Sequence, residues 1–267
     1  MFTRPVLEMA TRTILLDVGG TFVKCSDGRQ IPIDSDGPRE VISASLREAV
    51  GDASDVAVAI PGPFNYEEGI FLMKHKFAAV YGERFADLIR GEGISFRFIH
   101  DVNAMLLGEM TAGTGKGYRR VALVTLGTGL GFSMSIDGEI LKNEMGSPKV
   151  PIFNRPFRDG ILEDYASKRG FLRGFPKGLT VKDLSLMPAA ATRFAEVGAI
   201  LAEALEPLLE EYEIECLLFG GQISRSFNLF GPSVIAGLNH LSLKHIGPIS
   251  DFDNATFNGL ISLQLKK

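Results

Sequence analysis

The chain has 267 residues, of which 45% are hydrophobic and 22% charged, which is the composition of a folded globular protein. Its formal net charge of −4 and its scattered basic residues give no electrostatic reason to expect nucleic acid or an anionic membrane as a partner. Cys25 and Cys216 are far apart in the sequence, which predicts two reduced thiols rather than a disulfide framework. Because no apolar run approaches the roughly 18 residues of a membrane span, and the first residues lack a signal-peptide core, we expect a cytoplasmic protein.

Strands alternate with helices in the first half of the sequence. "RTILLDVGG" is typical of a buried strand, and "TFVKCSDG" of its antiparallel partner, which ends in an Asp-Gly turn. "PREVISASLREAV" has helical spacing and predicts Val41, Leu46 and Val50 on one side of a helix. "SDVAVAIPG" predicts a further strand, "RFADLIRGEG" a helix, and "SFRFIHD" a strand that ends at Asp101.

The second half begins with the same succession of strand, glycine-threonine turn and strand as the first. "RRVALVTLGTGLGFSMSIDGEIL" predicts a strand, a Gly-Thr-Gly turn and a return strand, and a helix over 102–113 precedes it. Residues 188–212 predict a long amphipathic helix, in which Pro207 introduces a kink or a new turn. Its predicted apolar side consists of Phe194, Val197, Leu201, Leu205 and Leu208. "ECLLFGGQIS" is a further apolar strand ending in two glycines. The pattern indicates an α/β protein with two related lobes.

Small and acidic residues follow four of the predicted strands. They are Asp17 with Gly19, Gly20 and Thr21; His100 with Asp101; Gly127, Thr128 and Gly129; and Gly220 with Gly221. Ligands collect at the carboxyl ends of strands in α/β sheets, and glycines there expose N–H groups that suit phosphate. Asp17 has the chemistry to hold Mg²⁺ through water, and Lys24 either adds positive charge or is merely exposed.

Each of these pieces has an ordinary structural explanation when it is taken alone. A strand followed by Gly-Gly is more often a tight turn than a phosphate site, and Asp101 suits a helix cap as well as a general base. Neither the P-loop spacing nor the dinucleotide-binding glycine pattern is met. The four pieces together, in this order, favour a phosphate-binding enzyme.

The order of the motifs resembles that of the ROK (repressor, open reading frame, kinase) family of sugar kinases. "LLDVGGTFVK" is similar to the first phosphate motif of the actin/hexokinase/heat-shock ATPase superfamily. "VAIPGP", "HDVNAMLLGE", "LVTLGTGLGFSMSIDGEI", "NEMGS", "ILEDYAS" and "LLFGGQIS" follow in the family's order. The likeness extends over about residues 14–224.

The resemblance implies a two-lobed ribonuclease-H-like (actin/hexokinase-like) α/β fold. It has a mixed sheet in each lobe and an interlobe cleft that binds ATP, Mg²⁺ and a sugar. The N-terminal lobe would comprise 1–104, completed by the C-terminal segment 251–267, and the C-terminal lobe would comprise 105–250. Family members commonly form dimers, so a homodimer is an open alternative.

The resemblance also assigns roles to individual residues. Asp101 matches the catalytic aspartate, which takes the proton of the attacking sugar hydroxyl, and Asp17 would lie near Mg²⁺. Nucleotide and phosphate would be bound by Gly19, Gly20, Thr21, Lys24, Gly127, Thr128, Gly129, Gly220 and Gly221. The sugar would be bound by Gly62, His100, Asn103, Glu144 and Glu163.

Three departures from the family pattern affect sugar and nucleotide binding. Family members commonly bind structural zinc through one histidine and three cysteines, but Ser147 replaces the histidine here and no cysteine lies between Cys25 and Cys216. We therefore expect no zinc site, and expect Ile152, Phe153 and Phe157 to stabilise the segment 147–162 by packing. His100 replaces a sugar-binding asparagine, and Gln222 replaces the third glycine of the nucleotide loop.

The leading hypothesis is an ATP-dependent hexose kinase resembling glucokinases. An alternative keeps the kinase but changes the acceptor to an amino or N-acetylated sugar, or the donor to polyphosphate. A further alternative is a sugar-binding sensor or a degenerate kinase without turnover, which the departures at 100, 147 and 222 favour. Because only about a dozen residues precede the first strand, we expect no DNA-binding helix-turn-helix.

Overall fold

The structure is a computed structural model that describes residues 12–89 and 93–265. Contacts divide the chain into two compact units, which meet between Ile99 and His100 and are described separately below. Residues 1–11, for which we expect no signal peptide, lie outside the described residues. So does the predicted continuation of a helix beyond Ile89. In the described part of the chain, none of the helices has both the length and the apolar character needed to cross a membrane.

The first unit is built on a five-stranded mixed sheet. Its elements are β1 (Thr13–Val18), β2 (Phe22–Cys25), β3 (Gln30–Pro32), α1 (Arg39–Val50), β4 (Asp55–Ile60), β5 (Phe64–Asn65), β6 (Ile70–Phe71), a 3₁₀ turn (Ala78–Val80), α2 (Phe85–Ile89) and β7 (Ser95–His100). The strand order is β3-β2-β1-β4-β7, with β2 antiparallel to β1 and β4 parallel to it. The predicted strands and their order along the chain are confirmed.

Helix α1 buries a face that differs from the predicted one by one position. Leu46 and Val50 are buried as expected, but Val41 is 45% exposed and Ile42 takes the buried place. Ile42, Leu46 and Ala49 follow the 3–4 residue spacing of one helical face, which Val41 does not continue. Each buried aliphatic side chain of this kind contributes roughly 1.5–3 kcal/mol to stability.

The second unit has its own five-stranded sheet and most of the helices. Its elements are α3 (Asp101–Ala112), β8 (Arg120–Leu126), β9 (Leu130–Ile136), β10 (Glu139–Ile140), β11 (Pro156–Phe157), β12 (Gly160–Ile161), α4 (Leu162–Ala166), α5 (Lys168–Leu172), α6 (Val181–Ser185), α7 (Ala191–Glu211), β13 (Cys216–Gly220), α8 (Phe227–Leu238), β14 (His245–Pro248) and α9 (Ala255–Leu265). The strand order is β10-β9-β8-β13-β14, with β8, β13 and β14 parallel.

The long helix α7 forms the apolar side of this unit's core. All five of its predicted core positions are buried: Phe194, Val197, Leu201, Leu205 and Leu208. The helix runs continuously through Pro207, so the expected new turn does not form there. Leu205 and Leu208 are buried on either side of the proline, and their packing offsets the hydrogen bond that proline cannot donate.

Helices α3 and α9 approach each other closely through glycines. A Cβ atom at Gly108 would lie 2.9 Å from the backbone nitrogen of Gly259, and a Cβ at Gly259 would overlap the carbonyl of Ala104. This packing groups both helices with the second unit. The contact division lies at 99/100 and groups α9 with the second unit. The lobe boundaries expected from the resemblance, 1–104 with 251–267 and 105–250, stay a prediction.

Candidate active site

The first turn, residues 19–21, follows the carboxyl end of β1. Its shape is fixed by a hydrogen bond from the N–H of Gly19 to the carbonyl of Phe22 at 2.9 Å. Gly20 and Thr21 are connected to the following loop by hydrogen bonds, because their carbonyls accept from the N–H groups of Ser35 and Ile33, respectively. In the described part of the chain, the N–H groups of Gly20 and Thr21 have no protein acceptor. Two such neighbouring donors are suited to an anion.

Asp17 and Lys24 face each other across the β1–β2 pair. They are register partners, and Nζ of Lys24 lies 3.9 Å from Oδ2 of Asp17. The Asp17 side chain is 24% exposed and that of Lys24 is 47% exposed. The ammonium of Lys24 is thus next to the carboxylate of Asp17, near the partly exposed end of β1. Sequence reasoning left open whether Lys24 was merely exposed, and the structure places it next to Asp17.

Gly62 follows β4 at the same edge of the sheet as Asp17. Because β1 and β4 are parallel and Asp17 pairs with Ala59, the two strands end side by side. Gly62 is half-buried and precedes Pro63 through a cis peptide bond. The carboxyl edge of this sheet therefore carries an acid, a glycine turn and a second glycine, all in the first unit.

Asp101 is the first residue of α3, and His100 occupies the N-cap position. The N–H of Val102 lies 2.8 Å from Oδ1 of Asp101 and 3.2 Å from Nδ1 of His100. These two acceptors are 2.9 Å apart, so a protonated Nδ1 donates to Asp101, whereas an unprotonated Nδ1 accepts from Val102. The side chains are 38% exposed for Asp101 and 15% exposed for His100. The Asp101 carboxylate thus accepts a hydrogen bond at the start of α3 and is still accessible to solvent.

The second turn, residues 127–129, joins β8 to β9 in the second unit. The N–H of Gly127 donates to the carbonyl of Gly129 at 3.0 Å, and the carbonyl of Gly127 accepts from Lys168 at 2.9 Å. The N–H groups of Thr128 and Gly129 have no acceptor among the residues that the structure describes. Both residues are exposed. This turn therefore presents the same pair of donors as the first one.

Glu163 is bound to the second turn rather than isolated. Its Oε2 accepts a hydrogen bond from the N–H of Leu130 at 3.0 Å, and its Oε1 lies 2.8 Å from the guanidinium of Arg169. A Cβ atom at Gly129 would lie 2.9 Å from Oε2. The sequence alone offered no signal for this contact, because residues 129 and 163 are far apart in the chain.

Gly220 and Gly221 end β13 beside the second turn. Gly220 pairs with Thr125 of β8, and Gly221 has a φ of 80°. A Cβ at Gly221 would overlap the carbonyl of Leu126 and lie 2.9 Å from its nitrogen. Only glycine fits this position, because it has no Cβ atom and readily adopts a positive φ. The adjacent departure, Gln222, starts a 3₁₀ turn and accepts a hydrogen bond from Nε of Arg225 at 3.0 Å.

Asn103 is fully buried and contacts the predicted sugar loop, residues 143–147. Its Nδ2 donates to the carbonyl of Gly146 at 3.2 Å, and its Oδ1 accepts from Ser133 at 2.7 Å. The loop itself is a compact turn in which Oδ1 of Asn143 accepts from the N–H groups of Met145 and Ser147, both at 3.0 Å. Glu144 is exposed within this turn. Asn103 therefore fixes the loop that carries Glu144.

The segment 147–162 packs through two of the three predicted apolar side chains. Ile152 is buried and Phe157 meets Tyr165 edge-on at 5.4 Å, whereas Phe153 is 44% exposed and was wrongly predicted to pack. The Tyr165 ring is also contacted by two guanidinium groups, those of Arg158 at 5.5 Å and Arg173 at 4.8 Å. Aromatic and cation–π contacts thus stabilise the short hairpin of β11 and β12.

Comparisons with known proteins identify relatives of this chain in sequence and in fold. The chain is 28% identical over 235 residues to a glucokinase from Thermotoga maritima, covering 73% of this chain and 74% of the relative. A glucokinase from Streptomyces griseus, solved with glucose and AMPPNP, superposes with a TM-score of 0.77 at 20% identity, covering 94% of this chain and 98% of that one.

A transcriptional regulator, a homologue of the Escherichia coli MLC protein, has the same fold with a TM-score of 0.74 at 18% identity. The match covers 94% of this chain and 77% of the regulator. Fold alone therefore does not separate kinases from regulators. The model of the ROK family matches residues 35–247, which include the second turn, Asp101, Glu163 and the Gly220–Gly221 pair. On this match, and on the two-sheet fold it accompanies, the chain belongs to the ROK family.

Proposed function

We propose that this protein is a sugar kinase, which transfers the γ-phosphoryl group of ATP to a hydroxyl of a hexose. The observation that carries the proposal is the pair of similar glycine turns, 19–21 and 127–129, each with two adjacent N–H groups that have no acceptor in the described chain. Backbone donors of this kind bind phosphate oxygens without the bulk of a side chain. Phosphoryl transfer depends mainly on positioning and charge neutralisation, which such turns supply.

Asp17 is the proposed contact of Mg²⁺. Its carboxylate lies at the end of β1 beside the first turn, and the group is partly exposed. Mg²⁺ commonly retains several waters and takes only one or two carboxylates in phosphate-binding sites, so one aspartate fits the ion. When bound, Mg²⁺ neutralises phosphate charge and orients the transferred group. Lys24 adds a positive charge 3.9 Å from the same carboxylate.

Asp101 is the proposed general base. Its carboxylate takes the proton from the attacking hydroxyl as the oxygen bonds to the γ-phosphorus, and the bond from that phosphorus to the bridging oxygen of ADP breaks. The products are the sugar phosphate, ADP and a proton. The hydrogen bond from Val102 to Oδ1 supports this role, because it fixes the carboxylate at the start of α3.

Glucose is the default acceptor, because the relative from Thermotoga maritima is a glucokinase. We propose Glu144, Glu163, His100 and Gly62 as its contacts. Glu163 can accept from a sugar hydroxyl while it binds Leu130, since a carboxylate has about four acceptor positions. Asn103 acts indirectly in this scheme, because its amide groups already bind Gly146 and Ser133.

A coupled ADP-release assay tests the proposal. Purified protein is supplied with ATP and Mg²⁺ and with glucose, mannose, glucosamine, N-acetylglucosamine or N-acetylmannosamine in turn. In a parallel series polyphosphate replaces ATP, and formation of the sugar phosphate is measured there, because this donor releases no ADP. The proposal expects ATP-dependent turnover with at least one of these sugars. Turnover of an N-acetylated sugar alone would support the kinase and replace the acceptor.

A sugar-binding sensor without turnover is the second candidate. It is favoured by the departures from the family pattern at His100, Ser147 and Gln222. Gln222 replaces the third glycine of the nucleotide loop, and its side chain accepts a hydrogen bond from Arg225. Calorimetric titration with the same sugars separates the two candidates. Sugar binding without any ADP release would reject the kinase in favour of the sensor.

A further inference from the structure

Lys76 lies close to the first turn, although no local motif groups it with the phosphate-binding residues. It follows β6 and precedes Phe77, whose side chain is fully buried and whose φ is 53°. The N–H of Phe77 donates to the carbonyl of Ser35 at 2.6 Å. A buried aromatic ring and a backbone hydrogen bond thus fix the backbone beside Lys76.

The end of the Lys76 side chain lies beside Gly20. A Cβ atom at Gly20 would lie 3.6 Å from Nζ of Lys76 and 3.2 Å from Oγ of Ser35. Ser35 is itself anchored to the turn, because its N–H donates to the carbonyl of Gly20 at 3.2 Å. An ammonium, a hydroxyl and the N–H groups of the turn are therefore gathered around one glycine.

No carboxylate neutralises Lys76 within the described residues. Lys24, by contrast, has Asp17 at 3.9 Å, and Lys74 has its ammonium 5.1 Å from the centre of the Tyr81 ring. Lys76 is half-buried, whereas Lys74 is exposed. A partly buried cation beside backbone donors creates a local positive potential that favours an anion.

We propose that Lys76 binds a phosphate group of the phosphoryl donor at the first turn, with the Ser35 hydroxyl as a further donor. This proposal rests on the proposed kinase function and extends its phosphate site beyond the glycine motif. A phosphate suits the position better than a neutral sugar hydroxyl, because it interacts with the ammonium, the hydroxyl and both N–H groups at once.

Lys76→Gln tests the inference, with Lys74→Gln as the matched control for an equal change of charge two residues away. Binding of AMPPNP with Mg²⁺ is measured by calorimetry without sugar, and KM values for ATP and for the sugar are measured separately. Thermal melting checks that each variant is folded. We expect Lys76→Gln to weaken AMPPNP binding by on the order of tenfold to a hundredfold, with a smaller loss in Lys76→Arg. Lys74→Gln should bind as the wild type does.

The outcomes separate this inference from the proposed function. If the wild type and Lys74→Gln bind AMPPNP and turn over sugar while Lys76→Gln is unchanged, the inference is wrong and the kinase assignment stands. If Lys76→Gln raises only the KM for the sugar, Lys76 contacts the acceptor and the inference is equally overturned. If the folded wild type binds no AMPPNP and releases no ADP, both are rejected.

Discussion

Oε2 of Glu163 accepts a hydrogen bond from the backbone N–H of Leu130 at 3.0 Å, and this bond connects helix α4 to the end of the second turn. Glu163, which the resemblance assigns to sugar binding, therefore also stabilises the second turn, which is a proposed phosphate site. In the proposed scheme, sugar binding and phosphate binding would share the carboxylate of Glu163. The shape of the turn then depends on a side chain that a sugar hydroxyl would also contact.

Glu163→Ala should raise the KM for ATP and the KM for the sugar together. A hydrogen bond to a charged acceptor is worth roughly 1.5–3 kcal/mol, so each KM should rise about tenfold or more. Steady-state kinetics with each substrate varied in turn provides the measurement. Arg169→Ala is the control, because its guanidinium is 58% exposed and its ion pair with Glu163 is of the weak surface type. A rise confined to the sugar KM would show that the Leu130 contact has no functional role.

His100→Ala should lower stability, whereas His100→Asn should not. The His100 side chain accepts from the N–H of Val102 at the start of α3, and asparagine is among the best residues at an N-cap. Loss of such a cap costs about 1 kcal/mol. The midpoints of urea denaturation of both variants measure the difference. Equal midpoints would indicate that Asp101 alone, through its own bond to Val102, caps the helix.

Gly221→Ala should lower stability, whereas Gly127→Ala should leave it unchanged. A Cβ at Gly127 would meet no atom within 4 Å, so this variant should melt like the wild type and yet bind AMPPNP less tightly. A Cβ at Gly221 would overlap the carbonyl of Leu126, and its φ of 80° is strained for alanine, which together cost on the order of 1–3 kcal/mol. Thermal melting and calorimetry make the comparison. Undiminished AMPPNP affinity in Gly127→Ala would remove the second turn from the phosphate site.

The two thiols should resist modification in the folded protein. Burial raises the pKa of Cys216 to about 12, with the carboxylates of Glu109 and Glu215 acting in the same direction, and burial also raises the pKa of Cys25. Ellman's reagent at pH 8 should therefore label neither residue until denaturant is added. Because the raised pKa keeps the folded thiol neutral, its stabilising effect is complete below pH 9 and is lost as the pH rises towards 12. Rapid labelling of the native protein would contradict the burial of both thiols.

The fold could be predicted from sequence wherever a short repeated pattern decides the structure. The strands that end at Val18 and Leu126 are apolar runs closed by glycine turns, and both form as expected. The predicted face of α1 was wrong by one residue, because Val41 does not share the 3–4 residue spacing of Ile42, Leu46 and Ala49, which form the buried face. Helix α7 continues through Pro207, so the new turn that was one of the two expectations there does not form.

The site was predicted less completely, because its supporting contacts join residues distant in sequence. Residues 17, 101 and 127 carry local motifs that resemblance could match. Lys76 beside Gly20, and Glu163 beside Leu130, depend on how loops return to the turns, which no local pattern encodes. The hydrogen bonds that bury Asn103 were likewise not evident from the sequence, since Asn103 lies in helix α3 and its partner Ser133 lies in strand β9.

The central claim is that Asp101 acts as the base in phosphoryl transfer to a sugar. ADP release should therefore be compared between the wild type and Asp101→Asn, with sugar and AMPPNP binding measured on the same samples by calorimetry. We expect kcat to fall about a hundredfold to ten-thousandfold in Asp101→Asn, while both ligands still bind. Equal kcat values in the two proteins would contradict it.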